Sequence, residues 1–246
     1  MAAADERPVA ELLEQAQEVA PARGFAQALR AGDELAVIAE IKRRSPSKGS
    51  LNVDLDPADV ARSYERGGSS CLSVLTDVEF FGGSVDDLQA ARSATSLPVL
   101  RKDFTVSVRD VADARIMGAD AVLLIVAALD EAELDELHGL AVLVGLDALV
   151  EVHDEGELEA ALRVGGRLIG VNQRDLVTFE VDHDRAARMA ALIPEGVARV
   201  AESGVRDAAD ARRLADAGYD AILVGESLVT AADPAAAIRA LRSDAR

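Results

Sequence analysis

The lysines are the residues whose type and position most clearly indicate chemistry in this chain. There are only three, Lys42, Lys48 and Lys102, and they fall in two short segments, whereas arginine supplies the remaining strongly basic side chains. Lysine can lose its proton inside a protein and arginine cannot, so this choice favours ammonium chemistry or a compact positive charge at these places. The alternative is that all three are ordinary solvated charges.

Carboxylates occur at comparable positions, at the ends of short apolar runs. Glu40 and Lys42 are two residues apart in one predicted strand, so their side chains should point to the same side. Lys102 and Glu151 end two other predicted strands, and such a pair can act as acid and base if burial brings their pKa values toward neutrality. The other polar side chains at strand ends include Asn172 and Glu202. An ion-pair ring that only closes the top of a barrel is the structural alternative.

Two glycine-containing turns predict a phosphate site. Ala201-Glu202-Ser203-Gly204-Val205 and Val224-Gly225-Glu226-Ser227 end the last two predicted strands. Glycine lets backbone N–H groups approach an anion, and barrels often bind a phosphate between these two loops. Because the formal charge of the chain is -18, such a phosphate would depend on backbone dipoles and on a nearby lysine, Lys42 or Lys48. A tight turn without a ligand is the alternative.

A basic loop follows the first predicted strand. The segment Glu40-Ile41-Lys42-Arg43-Arg44-Ser45-Pro46-Ser47-Lys48-Gly49 runs from inward charges into serine, proline and further basic residues. This composition predicts a mobile cover that carries positive charge over a binding site. A solvated basic loop is the alternative reading.

The elements that must position these residues recur in a regular order. After an N-terminal helical stretch over about 8–30, short branched-aliphatic runs alternate with amphipathic acidic segments, which is typical of a parallel sheet with crossover helices. Asp56-Pro57, Ser84 and Asp233-Pro234 supply helix start signals. Eight strands are predicted, Ala36 to Lys42, Cys71 to Thr76, Val99 to Lys102, Ala121 to Val126, Ala148 to Val152, Leu168 to Asn172, Arg199 to Glu202 and Ala221 to Gly225.

These eight rounds favour an α/β fold, a single (β/α)8 TIM barrel with an extra N-terminal helical segment. Gly118-Ala-Asp-Ala-Val-Leu-Leu is echoed by Gly218-Tyr-Asp-Ala-Ile-Leu-Val, so a glycine-to-strand junction recurs. A doubly wound open sheet could also hold such repeats, but no Gly-rich dinucleotide fingerprint is present, and closure removes the edge strands. We predict that residues 1–33 form a helical extension packed on the barrel and that residues 34–246 form the catalytic barrel.

Composition limits the partners. The charge of -18 disfavours nucleic acid and anionic membranes, because a phosphate surface would be repelled. Cys71 is the single cysteine, the N-terminus lacks a secretory pattern, and the longest apolar run, Ala121 to Leu129, is too short to span a bilayer. These features predict a cytoplasmic protein, a monomer or weak homodimer. His138, His153 and His183 show no metal-ligand spacing, so no metal site is predicted.

Six motifs resemble those of one enzyme family, indole-3-glycerol phosphate synthase of the tryptophan pathway. The resemblance covers about residue 34 to the C-terminus. Besides the basic loop from Ala39 to Gly49, the motifs are Leu100-Arg101-Lys102-Asp103-Phe104, Leu149-Val150-Glu151-Val152-His153, Gly170-Val171-Asn172-Gln173-Arg174-Asp175-Leu176, Ala201-Glu202-Ser203-Gly204 and Val224-Gly225-Glu226-Ser227-Leu228.

The resemblance implies a reaction without a cofactor. Enzymes of this family close the indole ring of 1-(2-carboxyphenylamino)-1-deoxyribulose 5-phosphate, with loss of carbon dioxide and water. By similarity, Lys102 donates a proton to the developing alkoxide, Glu151 acts as base, and Lys42 lies near the substrate carboxylate and serves as a candidate acid for the second step. The division of proton transfers between Lys42 and Lys102 stays open.

Supporting roles are implied for the remaining predicted site residues. Glu40 would orient Lys42, while Asn172 and Glu202 would hold substrate hydroxyls or lysines. The phosphate would be bound by Ser45, Lys48, Ser203, Gly204, Gly225 and the backbone N–H of Glu226. The anthranilate ring would lie on an apolar wall of Phe81, Phe104, Leu123, Ile125 and Leu176, although the aliphatic members could equally be barrel core.

Two other functions remain open at the level of sequence. In an aldolase-like barrel, Lys102 would form a Schiff base instead of donating a proton. In a non-catalytic barrel that binds a phosphorylated metabolite, the glycine turns would be kept but Lys102 and Glu151 would have no task.

Overall fold

Eight parallel strands close into a barrel in the computed structural model of the chain, which describes residues 7–175 and 178–243. The barrel strands in spatial order are β1 (Ala36–Ile41), β10 (Ala221–Val224), β9 (Ala198–Glu202), β8 (Leu168–Asn172), β7 (Asp147–Val152), β6 (Ala121–Ile125), β5 (Val99–Lys102) and β4 (Cys71–Leu75). Each pairs with its neighbours in parallel, and β4 returns to β1. The predicted (β/α)8 barrel is confirmed. Two short strands, β2 (Arg44–Ser45) and β3 (Gly49–Ser50), form an antiparallel hairpin in the basic loop.

Helices follow the barrel strands and cover their outer face. They are α3 (Pro57–Gly67), α4 (Val85–Ala94), α5 (Val108–Ile116), α6 (Glu131–Leu143), α7 (Glu155–Arg163), α8 (Arg185–Ala190), α9 (Ala208–Asp216), α10 (Glu226–Val229) and α11 (Pro234–Ser243), with a 3-10 turn at Val126–Ala128. The predicted start signals are confirmed at the first two sites, since the Asp56 and Ser84 side chains accept backbone N–H groups of α3 and α4. Asp233 accepts the N–H of Ala236 in the same way at 3.0 Å.

The N-terminal stretch that was predicted to be helical over about 8–30 forms two helices. Helix α1 (Val9–Glu18) and helix α2 (Phe25–Leu29) are separated by a segment that contains Pro21 and ends at Gly24, whose φ is 74°. Proline disfavours helix for the residue before it, and glycine adopts the left-handed region without strain, so both residues break the helix. Helix α1 packs against α5, and Phe25 of α2 is fully buried at the barrel floor, where its carbonyl lies 3.6 Å from Cys71 Sγ.

Alternation along the strands explains why the barrel is apolar at one end and polar at the other. Side chains of alternate residues point into the barrel, and the lower positions are buried hydrophobic residues such as Ile38, Leu149 and Val200. Two residues further along, the same interior side carries Glu40, Glu151 and Glu202. The carboxyl ends of the strands therefore hold the charged groups. Between the sheet and the helices lies a second, larger apolar layer. Among the described helices, none has both the length and the apolar character needed to cross a bilayer.

Candidate active site

A cavity of about 550 Å³ opens at the carboxyl ends of the barrel strands. Every predicted site residue within the described part of the chain lines it, namely Glu40, Lys42, Ser45, Lys48, Phe81, Lys102, Phe104, Leu123, Ile125, Glu151, Asn172, Glu202, Ser203, Gly204, Gly225 and Glu226. Leu176 lies outside the described residues. Residues separated by nearly two hundred positions in the chain thus meet in one place, although their individual roles stay predictions.

Lys102 lies at the centre of the charged side chains at the bottom of the cavity, which we call the polar floor. Its Nζ is 2.9 Å from Glu151 Oε2 and 3.3 Å from Glu202 Oε2, so one ammonium group is held between two carboxyl groups. The Asn172 amide donates a hydrogen bond to the other oxygen of Glu151, Oε1, over 2.9 Å. Glu151 is nearly inaccessible to solvent, and these partners fix both of its oxygens.

The charges of this pair are reinforced, so the condition that burial brings both pKa values toward neutrality is not met. Burial alone would lower the pKa of Lys102, but the negative charge of Glu151, followed by that of the surrounding carboxyl groups when they are ionised, outweighs it, and the pKa lies above its ordinary value. Burial likewise opposes the Glu151 carboxylate, but Lys102 and the Asn172 hydrogen bond hold its pKa below the usual range. The resting site therefore contains a protonated Lys102 in contact with an ionised Glu151.

Glu202 is the carboxyl group at the bottom of the cavity whose pKa is raised well above its ordinary value. Burial raises it to about 8, and the attraction of Lys102 only partly offsets burial and the repulsion from Glu151. One of its oxygens, Oε1, is buried without a hydrogen-bond partner. The carboxyl group packs against Gly170, where any Cβ would clash with Oε1. Glu202 is accordingly a protonated carboxyl group at neutral pH.

Glu40 and Lys42 form a second pair on the same side of β1, as predicted. Lys42 Nζ is 2.7 Å from Glu40 Oε1, and the Ser73 hydroxyl donates to Glu40 Oε2 at 3.3 Å. Gly225 lies directly against both side chains, and a Cβ there would clash with Glu40 Oε1. The glycine of this turn is thus required by close packing around the pair, in addition to any anion it admits.

The basic loop reaches across the cavity and is anchored on both sides. Arg43 pairs with Asp87, and the Arg44 guanidinium donates to the Val78 carbonyl at 2.7 Å. At the mouth, Lys48 Nζ lies 3.5 Å from Glu226 Oε1, and both side chains are about half exposed. Lys48 therefore has a carboxylate partner in this structure, which the sequence did not predict, since Glu226 was expected to act through its backbone N–H.

The two glycine turns lie beside each other at the cavity rim. Ser203 and Gly204 both have left-handed backbones, with φ of 65° and 76°. The Gln173 amide donates to the Ser203 carbonyl at 2.7 Å and so holds this turn. Gly225 directly precedes the short helix α10. Left-handed and pre-helical backbone of this kind directs N–H groups outward, which suits an anion.

The predicted apolar wall is divided between rim and floor. Phe104 is exposed, Phe81 is partly buried, and Leu123 and Ile125 are buried on β6. Leu123 and Ile125 belong to the barrel core and also line the cavity, so the two readings of these aliphatic residues are compatible.

The family model described as indole-3-glycerol phosphate synthase matches residues 1–241. The chain belongs to the indole-3-glycerol phosphate synthase family. "Indole-3-glycerol phosphate synthase 2" of Streptomyces coelicolor is 52% identical over 235 residues, which cover 96% of this chain and 91% of that protein. The predicted resemblance and the predicted activity, that of a carboxy-lyase in tryptophan biosynthesis, are confirmed.

Solved structures of other barrels share the fold of this synthase family member. A 3-hexulose-6-phosphate synthase superposes with a TM-score of 0.66 at 16% identity, covering 85% of this chain and 99% of that one. Thiamine phosphate pyrophosphorylase from Pyrococcus furiosus gives a TM-score of 0.64 at 17% identity, covering 84% and 93%. At such low identity these likenesses concern the fold alone.

Sequence reasoning missed some residues of the synthase cavity. Arg174 lines it, with its backbone N–H donating to Asn172 Oδ1 at 3.0 Å and its guanidinium donating to the Phe179 carbonyl at 3.0 Å. Its signal was present, because it lies two residues after the end of β8 within a quoted motif. Asp103, next to Lys102, also lines the cavity and pairs with Arg101 at 3.1 Å.

Proposed function

We propose that this synthase closes the indole ring by proton transfers from Lys102 and to Glu151, with the substrate held across the cavity between the two glycine turns and the apolar wall. The observation that carries this proposal is the contact of Lys102 Nζ with Glu151 Oε2 at 2.9 Å on the polar floor. The ammonium group and the carboxylate are already in the protonation states that a proton donor and a proton acceptor require.

The shape and charge of the cavity support one orientation of the substrate. The phosphate binds at the turns that contain Ser203, Gly204, Gly225 and Glu226, with Lys48 exchanging its carboxylate partner for the phosphate. The substrate carboxylate lies at Lys42, and the aryl ring lies against Phe81, Phe104, Leu123 and Ile125. The ribulose carbonyl then faces Lys102. Oriented binding of this kind removes much of the entropic barrier to ring closure.

Ring closure requires a donor at the ribulose oxygen. The aromatic carbon that bears the carboxylate attacks the carbonyl carbon, and Lys102 transfers a proton to the oxygen as it becomes an alkoxide. The positive charge of Lys102 stabilises negative charge that appears only in the transition state. Loss of carbon dioxide then restores the aromatic ring.

Dehydration requires a second acid and a base. The new hydroxyl leaves as water after it receives a proton, and Glu151 removes a proton from the adjacent ring CH2 group, next to the nitrogen, so that the indole double bond forms. The substrate thus receives two protons and returns one, so each turnover takes up one proton from solvent. Lys42 and Lys102 are both candidates for the second donor, and Glu40 holds Lys42 in position.

The contacts of Lys102 also bear on the aldolase-like alternative. A Schiff base forms from an unprotonated amine, whereas the Glu151 carboxylate in contact with Lys102 raises its pKa and keeps the ammonium form. We therefore favour proton donation. Borohydride reduction with substrate present should leave no covalent adduct on Lys102, and an adduct found there by mass spectrometry would support the alternative.

Three further proposals concern the division of the chain, its oligomeric state and its location. Residues 1–33 act as an extension that fastens onto the barrel of residues 34–246. The cavity is built from one chain, which supports an active monomer or weak homodimer that works in the cytoplasm on a small phosphorylated substrate.

Substitution of the two central residues tests the proposed function. Lys102→Met should lower kcat about a thousandfold, because it removes the proton donor, and Glu151→Gln should act similarly. Activity is followed by the ultraviolet absorbance of indoleglycerol phosphate. Lys102→Arg is the matched control for charge, because arginine keeps the positive charge but cannot give up its proton. Unimpaired turnover in Lys102→Met or Glu151→Gln would contradict the proposal, and full activity in Lys102→Arg would reduce the role of Lys102 to charge alone.

A further inference from the structure

A histidine contacts the far side of Glu151, away from Lys102. His153 immediately follows β7, and its Nε2 lies 3.5 Å from Glu151 Oε1. Its other ring nitrogen, Nδ1, lies 3.0 Å from Glu157 Oε2, and the same Glu157 oxygen accepts the His153 backbone N–H at 2.7 Å. Glu157 lies in the first turn of α7, so the start of this helix fixes the imidazole ring.

The ring is therefore placed between two carboxylates. A neutral imidazole has one N–H and can donate to only one of them, whereas an imidazolium has two and can donate to both. Nε2 is buried and has no close hydrogen-bond partner, so Glu151 Oε1 is the acceptor available to it. Each ring nitrogen thus has a carboxylate oxygen within 3.5 Å, and this arrangement favours the charged ring.

Other charges around the ring act in opposite directions. Burial opposes the imidazolium, but the hydrogen bond to Glu157 and the charges of Glu151 and Glu157 outweigh it, and the pKa of His153 lies above 6.5. Arg185 of α8 is the cation nearby and lowers this pKa somewhat. Its guanidinium is occupied by the Asn172 carbonyl at 2.9 Å. The balance still favours a positive charge behind Glu151.

We propose that His153 is a positioning residue for Glu151, held by Glu157 and acting through its charged ring to fix the orientation of the Glu151 carboxylate. The inference rests on the proposed role of Glu151 as the base. Lys102 and Asn172 hold the carboxylate from the cavity side, and His153 holds it from the side of α7. When the ring loses its proton, it keeps its N–H on Glu157 and presents a lone pair to Glu151, so the carboxylate loses this support.

The dependence of kcat on pH tests the proposal. In the wild type, kcat should fall about tenfold as pH rises through the pKa of His153, because the attraction between the charged ring and the Glu151 carboxylate is lost. This step should be absent in His153→Asn, which should have the lower kcat at every pH, and should move to lower pH in Glu157→Gln. His138→Asn on α6 and Glu159→Gln on the exposed side of α7 are matched controls that should keep the wild-type profile.

Histidine side-chain NMR gives a second readout that does not need activity. The chain has only three histidines, so comparison with His153→Asn identifies the ring signals of His153. Its titration midpoint should lie above 6.5 in the wild type and should move to lower pH in both Glu157→Gln and Glu151→Gln. The proposed function is tested separately, by the activity of Glu151→Gln.

The role of Glu151 as base and the positioning role of His153 are overturned by different results. An active Glu151→Gln enzyme would overturn the role of Glu151 as base, even if the ring titration still depends on Glu151. The positioning role is overturned if kcat of His153→Asn equals that of the wild type or is lower by the same factor at every pH. It is also overturned if Glu151→Gln leaves the His153 titration unchanged.

Discussion

Glu202 determines the net charge of the cavity floor. With Lys42 and Lys102 positive and Glu40 and Glu151 negative, these groups balance as long as Glu202 keeps its proton. Above a pH of about 8 Glu202 ionises, and the floor gains a negative charge next to the place where an anionic substrate must bind. Activity and stability should both respond, but stability reports on Glu202 most directly because its carboxyl group is almost completely buried.

Glu202→Gln should change how the free energy of unfolding depends on pH. The pKa of Glu202 is raised from 4.5 to about 8 by folding, so between these values the folded protein holds a proton that the unfolded chain has released. The free energy of unfolding of the wild type therefore falls as pH rises through this window. A neutral glutamine at this position avoids that fall. Between pH of about 5 and 9, the free energy of unfolding of the variant should rise relative to that of the wild type by on the order of 3 kcal/mol. Urea denaturation measures this difference.

The exposed Glu195 offers a matched comparison. Glu195→Gln should give a curve parallel to that of the wild type, because its carboxyl group lies on the surface. If the Glu202→Gln curve is also parallel to the wild type, Glu202 is ionised throughout and its assignment as a protonated group is wrong.

At the scale of single residues, the sequence predicted which side chains meet in the cavity but not their protonation. Alternation and strand ends were enough to bring Lys102, Glu151 and Glu202 to one cavity, because parallel strands of a barrel end at one face. Sequence reasoning left open whether burial brings the pKa values of Lys102 and Glu151 toward neutrality, because it did not include their direct contact. Which side chain faces which depends on strand register, and the sequence does not contain that information in a local form.

Strands β8 and β9 show how one glycine serves the site. In the barrel, Gly170 of β8 lies against the carboxyl group of Glu202 on β9, and a methyl group at Gly170 would occupy the space of Glu202 Oε1. A central strand gains nothing else from glycine, which lacks a side chain to pack. The absence of a side chain on β8 is therefore what permits the approach of Glu202 to Lys102.

Gly170→Ala should damage activity more than stability. The new methyl group displaces the Glu202 carboxyl from Lys102, which should reduce kcat/KM at least tenfold and the free energy of unfolding by about 1–3 kcal/mol. Steady-state kinetics and urea denaturation measure the two effects. Gly139→Ala is the control, since nothing lies near its added methyl group in α6, and it should raise stability by about 0.5–1 kcal/mol at unchanged kinetics. Normal kinetics in Gly170→Ala would show that this packing is dispensable.

The elements themselves were largely predictable. All eight barrel strands begin and end within one residue of the predicted limits, because each is a branched-aliphatic run between clear turn signals. The N-terminal stretch was predicted to be helical without its break, and the position of that break depends on how Gly24 and Phe25 fit under the barrel floor. That contact joins segments distant in sequence, so no local pattern reports it.

At the scale of the whole molecule, the two repeated glycine-to-strand segments each contain an aspartate that links two neighbouring strands. Asp120 and Asp220 occupy the same position in the two echoed segments, just before β6 and β10. Asp120 Oδ2 accepts the N–H of Val99 at 2.8 Å, and Asp220 Oδ2 accepts the N–H of Arg199 at 2.8 Å. Each carboxylate thus caps the start of the preceding strand, at the end of the barrel opposite the cavity.

Asp120 does more than its counterpart, because its second oxygen binds the N-terminal segment. Asp120 Oδ1 accepts the Arg23 N–H at 2.9 Å and the Arg92 guanidinium at 3.0 Å, and the side chain is fully buried. An asparagine at 120 can accept on one side only and would direct its NH2 group at donors, whereas an asparagine at 220 can rotate its single oxygen toward Arg199. Of these two aspartates, only Asp120 therefore contributes to docking of the N-terminal segment.

Asp120→Asn should consequently lower the free energy of unfolding by about 2–4 kcal/mol, and Asp220→Asn by less than about 1 kcal/mol. Urea denaturation of both variants measures the difference, which reports the attachment of the N-terminal segment to the barrel. Both should keep wild-type kcat at temperatures well below melting, since these carboxylates lie at the opposite end of the strands from Lys102. Equal losses of stability in the two variants would mean that the N-terminal segment adds nothing through Asp120 and that the echo reflects strand capping only.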